Sequence, residues 1–552
     1  MGIPRFYGEF LKHHFSQASN VLISSVPPDI SSLSIDLNSL FHDVAQKIYG
    51  YESGKDPSKN DRLKNTPLQQ LENEYFNEIG NKIIELVSQL NPRDVLILAV
   101  DGVAPMAKII HQRQRRYKSL ERKPNPYFDS NAITPGTEMM GRLDIFLKDW
   151  VVRKSSYLPI KVIYSSHLVP GEGEHKIMDY FRGGDLDKYG GAHIVYGMDA
   201  DLVVLSMLSP ISRIFLVRQE IQDVINIENL RESIRLELKS STALQDFAIL
   251  TLFVGCDFLP TSPCFDNLND SLNFMMKLYQ KLGVSISDGK DIIWQNFSIF
   301  VRAVAEAESM LLEKESHKSR KNGYIMMDKS FKDGLFDYAT FRSIWYHNEL
   351  EFKGDPDFIE FKLENKGIIK MCMEYVKGVY WTFGYYIKGN ALSDQTWYYP
   401  YHHSPLIRDC YEIIVQYFVK KGAPKMNKTE PLNPVHQLMC VIPPHSFGSL
   451  PKSLREDFIN RSICFDDLFP ETFEIELDGK NAVWQGIGLI PNPELERIIE
   501  SFDKWKDGDG LIKMLEPQKD FVYTKEQLDN NEFVSARLDD RIIKWRSLPN
   551  LM

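Results

Sequence analysis

At 552 residues, with 43% hydrophobic and 25% charged side chains, the chain has the composition of a globular protein with room for two or three domains. A formal charge of −10 excludes a uniformly basic nucleic-acid binder, so contact with a polyanion must come from a local basic patch. Six scattered cysteines without a CxxC pair exclude a disulfide framework and a thiolate zinc site, and no apolar run approaches the roughly 18 residues that span a bilayer. The opening segment lacks the basic-then-apolar layout of a secretory signal, so a soluble, intracellular protein, cytoplasmic or nuclear, is expected.

In chain order, 7–14 reads as a short helix, 33–37 as a strand with Asp36 near its end, and 38–49 as a helix. A polar surface loop is expected over 51–66, then a helix with one apolar face over 68–90. Residues 94–100 form an apolar run of buried-strand character, closed by Asp101-Gly102. A basic helix follows over about 104–122, then a helix over 138–154 and a strand at 161–164. Further strands are expected at 193–198 and 214–217, and an apolar helix at 244–254. This alternation predicts an α/β fold, a central, mostly parallel sheet flanked by helices. Residues 1–261 make the first unit, 262–345 a helical connection, 346–500 a second, aromatic-rich region and 501–552 a charged tail segment.

Asp36, Asp101 and Asp199 each fall at the C-terminal end of a predicted strand, the edge at which α/β sheets build their sites. Glu172-Gly173-Glu174 follows Pro170 at the start of a helix, and its glycines free the backbone to turn both carboxylates to one side. One such pair alone would be an ordinary solvated pair. A second pair, Asp199 and Asp201, together with Asp257 after the apolar helix, shifts the balance toward hard divalent cations. Seven converging carboxylates (Asp36, Asp101, Glu172, Glu174, Asp199, Asp201, Asp257) suit two ions about 3.5–4 Å apart, one activating water and one stabilising the leaving oxygen of a phosphodiester. Mg²⁺ is the expected cofactor, with Mn²⁺ able to substitute.

Lys108, Gln112, Arg115 and Arg116 recur at i, i+4, i+7 and i+8 and so share one helical face. Between 101 and 123 there are seven Lys or Arg against two acids. Such faces are commonly just solvated. This one starts directly after Asp101, which places it to grip a phosphate beside the metals. His42, a turn and a half beyond Asp36, is unremarkable alone, and residues such as Trp381 and Trp397 are more often core than platforms for unpaired bases.

Longer stretches carry a resemblance. Asp101-Gly102-Val103-Ala104-Pro105, Gln112-Arg113-Gln114-Arg115-Arg116, Phe128-Asp129-Ser130-Asn131, Thr134-Pro135-Gly136-Thr137-Glu138, Pro170-Gly171-Glu172-Gly173-Glu174-His175-Lys176, Asp199-Ala200-Asp201-Leu202 and Asp257-Phe258-Leu259-Pro260 occur in that order. Met1-Gly2-Ile3-Pro4, Tyr398-Tyr399-Pro400-Tyr401-His402-His403, Pro434-Val435-His436-Gln437 and Trp484-Gln485-Gly486 extend them. In these the chain resembles the XRN family of 5′→3′ exoribonucleases over most of residues 1–500. The resemblance implies a PIN/FEN-like nuclease core braced by a second, mainly helical conserved region. It also implies Mg²⁺-dependent, processive release of nucleoside monophosphates from single-stranded RNA bearing a 5′ monophosphate. The seven acids then match the metal site and catalytic set, and Lys108, Gln112, Arg115 and Arg116 the 5′-phosphate pocket. His42 matches the residue that stacks on the first base, with Trp381 as its expected partner and Trp397 in reserve. Pro105 matches a residue that blocks a duplex at the mouth of the site.

Met106 stands where the family usually has a basic residue, Cys256 replaces an Asn before the last aspartate, and Ser393-Asp394-Gln395-Thr396-Trp397 replaces a tryptophan-rich stretch. The long C-terminal extension of the family's cytoplasmic members is not expected, and neither is an oligomer. A flap endonuclease or DNA 5′ exonuclease would share the acids, but would follow the last one with a Gly-rich helix–turn–helix. No glycine lies between Gly255 and Gly283. An inactive RNA-binding scaffold of the same fold is the other alternative, and the full set of acids speaks against it.

Overall fold

The computed structural model describes residues 3, 6–15, 20–51, 56–118, 125–155, 160–218, 221–318, 323–350, 365–389, 393–459, 467–480, 485–504 and 515–524. Met1, Gly2, Pro4, the expected end of the basic helix at 119–122, Trp484 and 525–552 lie outside them.

An eight-stranded sheet organises the first unit. Its strands are β1 (Leu22–Ile23), β2 (Ile30–Asp36), β3 (Val95–Ala99), β4 (Lys161–Ser165), β5 (Ala192–Tyr196), β6 (Ile214–Val217), β7 (Val224–Asn226) and β8 (Phe521–Tyr523). They lie side by side in the order β1-β7-β6-β5-β2-β3-β4-β8. The five central strands, β6-β5-β2-β3-β4, are all parallel, and the edges add antiparallel pairs. The predicted mostly parallel sheet is therefore the fold's centre. Chain order reverses on either side of β2: β3 and β4 follow on one side, β5 and β6 on the other. Sites in open α/β sheets form at such a switch point.

The central strands are continuous buried runs, as their apolarity demands when both faces are covered by helices. One face packs on α1 (Leu37–Ile48), α2 (Leu68–Leu90) and α4 (Glu138–Ser155); α3 (Met106–Lys118) lies between the two units. On the other face lie α5 (Gly173–Arg182), α6 (Asp201–Leu208) and α7 (Ala243–Leu252), whose hydrophobic core runs on without a break into the second region. There α8 (Lys366–Lys388) packs on α6 and α7, and α9 (Pro434–Val441) packs on α3. Arg113, 1% exposed, ties α3 to this region by donating to the carbonyls of Cys440, Pro491 and Leu468. Met106, one of the departures from the family pattern, is buried in the same apolar cluster.

The expected loop over 51–66 instead carries short helical turns, Pro57–Lys59 and Asp61–Asn65, capped by Asp56 and Asn60. β8, from the segment read as a tail, pairs with β4 and closes that edge of the sheet. No helix among the described residues is long and apolar enough to cross a membrane.

Candidate metal centre

Three adjacent strands deliver the first acids. Asp36 ends β2 and caps α1, accepting from the Asn38 amide at 3.2 Å. Asp101 stands two residues past β3 and Asp199 three past β5, so all three sit at one edge of β5-β2-β3. Helix α5 begins against them: the Gly173 amide donates to Asp101 Oδ1 at 2.7 Å, and Glu172 and Glu174 flank that glycine. Asp201 opens α6, and Asp257 follows α7.

The two glycines of the acidic turn act differently. Gly171 has φ +105°, a conformation that only glycine adopts without strain. Gly173 has ordinary φ but no room: a Cβ there would lie 2.8 Å from Asp36 Oδ1 and 3.4 Å from Asp101 Oδ1. A Gly173→Ala chain keeps every carboxylate yet should lose divalent-ion affinity at least about tenfold, because the methyl group forces Asp36 and Asp101 apart. Calorimetric titration with Mn²⁺ checks this, and unchanged affinity would refute the packing argument.

Lys108 reaches from α3 into the acids. Its ammonium pairs with Glu172, lies 2.8 Å from Asp257 Oδ2 and 3.9 Å from Glu174 Oε1. Burial alone would discharge it, but Asp257, Glu172, Glu174 and Asp201 more than reverse that and hold it charged. One lysine does not satisfy the cluster. Glu174 Oε2 and both oxygens of Asp201 are buried without a hydrogen-bond partner among the described residues. Burial, and then Asp101 and Asp199, push the Asp36 carboxyl well above its ordinary range. Burial likewise raises Glu174. Glu172 is raised to about 7 and Asp201 to about 6, each chiefly by burial. Buried carboxylates left with orphaned oxygens and raised proton affinity are what a divalent cation relieves, and the residues present fit one.

Two groupings are close enough for that role. One oxygen each from Glu172 and Glu174 and a ring nitrogen of His175 lie within 4.8 Å of one another. So do single oxygens of Glu174, Asp199 and Asp201. The raised carboxyls set the pH dependence. A cation must displace protons held with pKa about 7 by Glu172 and about 6 by Asp201, so affinity falls as pH drops through those values. The expected loss is about tenfold per pH unit for each proton displaced, and affinity equal at pH 8 and pH 5.5 would refute it.

The basic face lies beside the acids. Gln112 accepts from Gln437 of α9 at 3.3 Å, and Arg116, buried, donates to Thr134 Oγ1. Burial, followed by the charges of Arg115 and Arg116, pushes His42 down to about 4, while Asp199 opposes them. His42, the two arginines and Asp199 thus share one field. Pro105 starts α3 by accepting from the Lys108 and Ile109 amides.

The tryptophans are placed otherwise than as open platforms. Trp381 is 3% and Trp397 6% exposed; their indole N–H groups donate to the Asp394 carbonyl and to Glu374. Trp381 stacks on Tyr385 and meets Phe258 edge-on, and no ring stacks on His42 among the described residues. The α8 spacing of four puts Trp381 and Tyr385 on one inward face, so packing takes both rings. A cleft of ≈ 270 Å³ with His111, Lys118 and His402 in its wall reaches one of the acids, Asp257, from the side of the second region. Sequence reasoning assigned no role to Tyr385, whose hydroxyl donates to Glu172 Oε1 at 3.0 Å, or to His111, 3.4 Å from Asp257 Oδ1. Only the helical spacing of Tyr385 from Trp381 and of His111 from Lys108 could have pointed to them.

Comparison with known proteins accords with this arrangement. Residues 1–126 and 120–220 match the family described as XRN 5′-3′ exonuclease N-terminus, and 237–334 and 340–509 match the Xrn1 helical domain. A 5′-3′ exoribonuclease 1 of Schizosaccharomyces pombe is 24% identical across 97% of this chain and 50% of its own length. The 5′-3′ exoribonuclease 1 of Homo sapiens is 25% identical across 91% of this chain and 34% of its own. The chain therefore spans half or less of these relatives. Among solved structures, the catalytic core of Rad2 in complex with a DNA substrate overlaps 53% of this chain and 74% of its own at 13% identity, a loose likeness with a TM-score of 0.32. With both conserved regions matched in order and the acids gathered at the sheet edge, the chain belongs to the XRN family of 5′→3′ exonucleases.

Proposed function

We propose that the chain is a 5′→3′ exoribonuclease that removes nucleoside monophosphates processively from single-stranded RNA with a 5′ monophosphate. The observation that carries this reading is the reach of Lys108, from the α3 face that also bears Gln112, Arg115 and Arg116, into an acidic centre where Glu174 and Asp201 keep oxygens without a partner among the described residues. Asp36, Asp101, Glu172, Glu174, Asp199, Asp201 and Asp257 would hold two Mg²⁺ ions. The ions when bound supply an activated water and neutralise charge on the scissile phosphate. Glu174, common to both close groupings, suits a ligand shared by two ions. Arg115, Arg116 and Gln112 would bind the terminal phosphate, with Arg giving paired donors. Lys108, between that face and the acids, would stabilise negative charge as it develops on the phosphate. His42 would contact the first base.

Selectivity follows from the same residues. Donors placed for one terminal phosphate are left unpaired by a 5′ hydroxyl, and a triphosphate brings charge they do not match. Rebinding the new 5′ phosphate after each cut draws the strand forward. Degradation of one 3′-labelled RNA in Mg²⁺, with its 5′ end as monophosphate, triphosphate or hydroxyl, tests the proposal. Loss of the monophosphate form alone, with mononucleotides released, is expected. Equal decay of all three, or faster cleavage of flapped DNA, would overturn it.

A further inference from the structure

His175 follows Glu174 in α5 and stands outside the seven carboxylates. Its ring is fully buried, and neither nitrogen has a hydrogen-bond partner among the described residues. Packing alone does not favour this. A buried imidazole carries a donor and an acceptor, and leaving both unsatisfied costs about 1–3 kcal/mol each. The ring is nevertheless firmly held. It stacks on Tyr385 with centroids 3.8 Å apart and planes at 25°, and the same tyrosine donates to Glu172.

We propose that His175 supplies a nitrogen ligand to one ion of the acidic centre, so that the two metal positions are chemically different. This rests on the metal-centre reading above and deepens it. The first position, Glu172–Glu174–His175, mixes oxygen and nitrogen; the second, Glu174–Asp199–Asp201, is all oxygen. The donor atoms of the first lie within 4.8 Å of one another, close enough for one ion with ligands about 2.1 Å away to draw them together by side-chain movement. Lys108 now pairs with Glu172 there, and its ammonium must withdraw toward Asp257, 2.8 Å away, as an ion enters. The consequence is selectivity. Carboxylates suit Mg²⁺, whereas an imidazole favours Mn²⁺ and later divalent metals, so the first position should prefer Mn²⁺. Tyr385 acts as a positioning residue, orienting His175 by its ring face and Glu172 by its hydroxyl.

The test is pulsed electron paramagnetic resonance on the full chain titrated with Mn²⁺, prepared with natural-abundance or ¹⁵N-labelled histidine. Nitrogen modulation that changes with the label, from about half of the bound Mn²⁺, is expected. His175→Gln should remove it while the second Mn²⁺ stays, and should lower the preference for Mn²⁺ over Mg²⁺ about tenfold. Bound Mn²⁺ without histidine coupling, or coupling that persists in a folded His175→Gln chain, would overturn the proposal and leave the acidic centre standing. No bound Mn²⁺ at all would overturn both. Should His175→Gln fail to fold, the labelled wild-type chain decides.

Discussion

An Asp201→Asn chain should cleave at least about a thousandfold more slowly than wild type, and in EDTA it should melt about 2 °C higher. The two halves of this result have one cause. Asp201 is fully buried, neither oxygen has a partner, and burial together with Asp257 and Asp199 raises its carboxyl to about 6. Above that pH the folded chain keeps an unwelcome charge. A folded-state pKa above the unfolded value means destabilisation that is fully present above about pH 6 and gone once pH falls below the unfolded value near 4. Asn removes the charge at nearly constant volume, so roughly 1–2 kcal/mol is regained at neutral pH, about 2 °C in a chain of this length. With it goes a proposed ligand of the ions that would lower the barrier to phosphodiester hydrolysis, and a loss of about 4 kcal/mol in transition-state stabilisation gives the thousandfold. Mg²⁺ should reverse the order of melting, because it stabilises the wild type more. Near wild-type turnover in the variant would sink the metal assignment; equal melting in EDTA would sink the electrostatic one.

The parts of this centre legible in the sequence are those with local causes. Asp36, Asp101 and Asp199 end apolar runs, and such runs become buried parallel strands, so their common edge followed from hydropathy alone. The basic face of α3 followed from helical spacing. What was hidden depends on contacts between distant segments. β1, β7 and β8 are two or three residues long, too short to show a period, and exist because a neighbouring strand edge accepts them. The Phe521–Tyr523 strand belongs to a sheet whose next strand begins 360 residues earlier, at Lys161. Tyr385 reaches Glu172 across a separation of 213 residues, and Gln437 reaches Gln112 across 325. No local pattern announces either. Aromatic composition likewise did not distinguish a stacking platform from a packed core: Trp381 is buried on the inward face of α8, and Trp397, beyond that helix, is buried against Trp381.

These long contacts also explain why the second region bears on the chemistry. Tyr385 holds Glu172, Gln437 holds both the Ala104 amide and Gln112, and Arg113 fastens α3 to the carbonyls around α9. The helix that carries the side chains proposed to bind the terminal phosphate is thus oriented from outside the sheet. Rigid support of this kind keeps donors and acids in register, and a displacement of about 1 Å would cost catalysis heavily.

Arg115→Ala should lower kcat/KM about 10–100-fold on 5′-monophosphate RNA and less than about threefold on 5′-hydroxyl RNA. Arg116 is buried and braced by Thr134, and burial followed by Arg115's charge pushes its guanidinium down to about 9. Arg115 is only half-buried, so its removal leaves fewer packing consequences. A second readout ties it to the site independently of RNA. Arg115 is, after burial, the first cause that depresses His42 to about 4. Removing that positive charge should raise the imidazole's pKa, which an NMR titration of His42 reads directly in the folded chain. A selective loss on monophosphate RNA together with an upward His42 shift locates the phosphate clamp at Arg115, within the field of His42. Equal slowing on both RNAs, with His42 unmoved, would place the clamp elsewhere on α3 and leave the acids to act on a differently held strand.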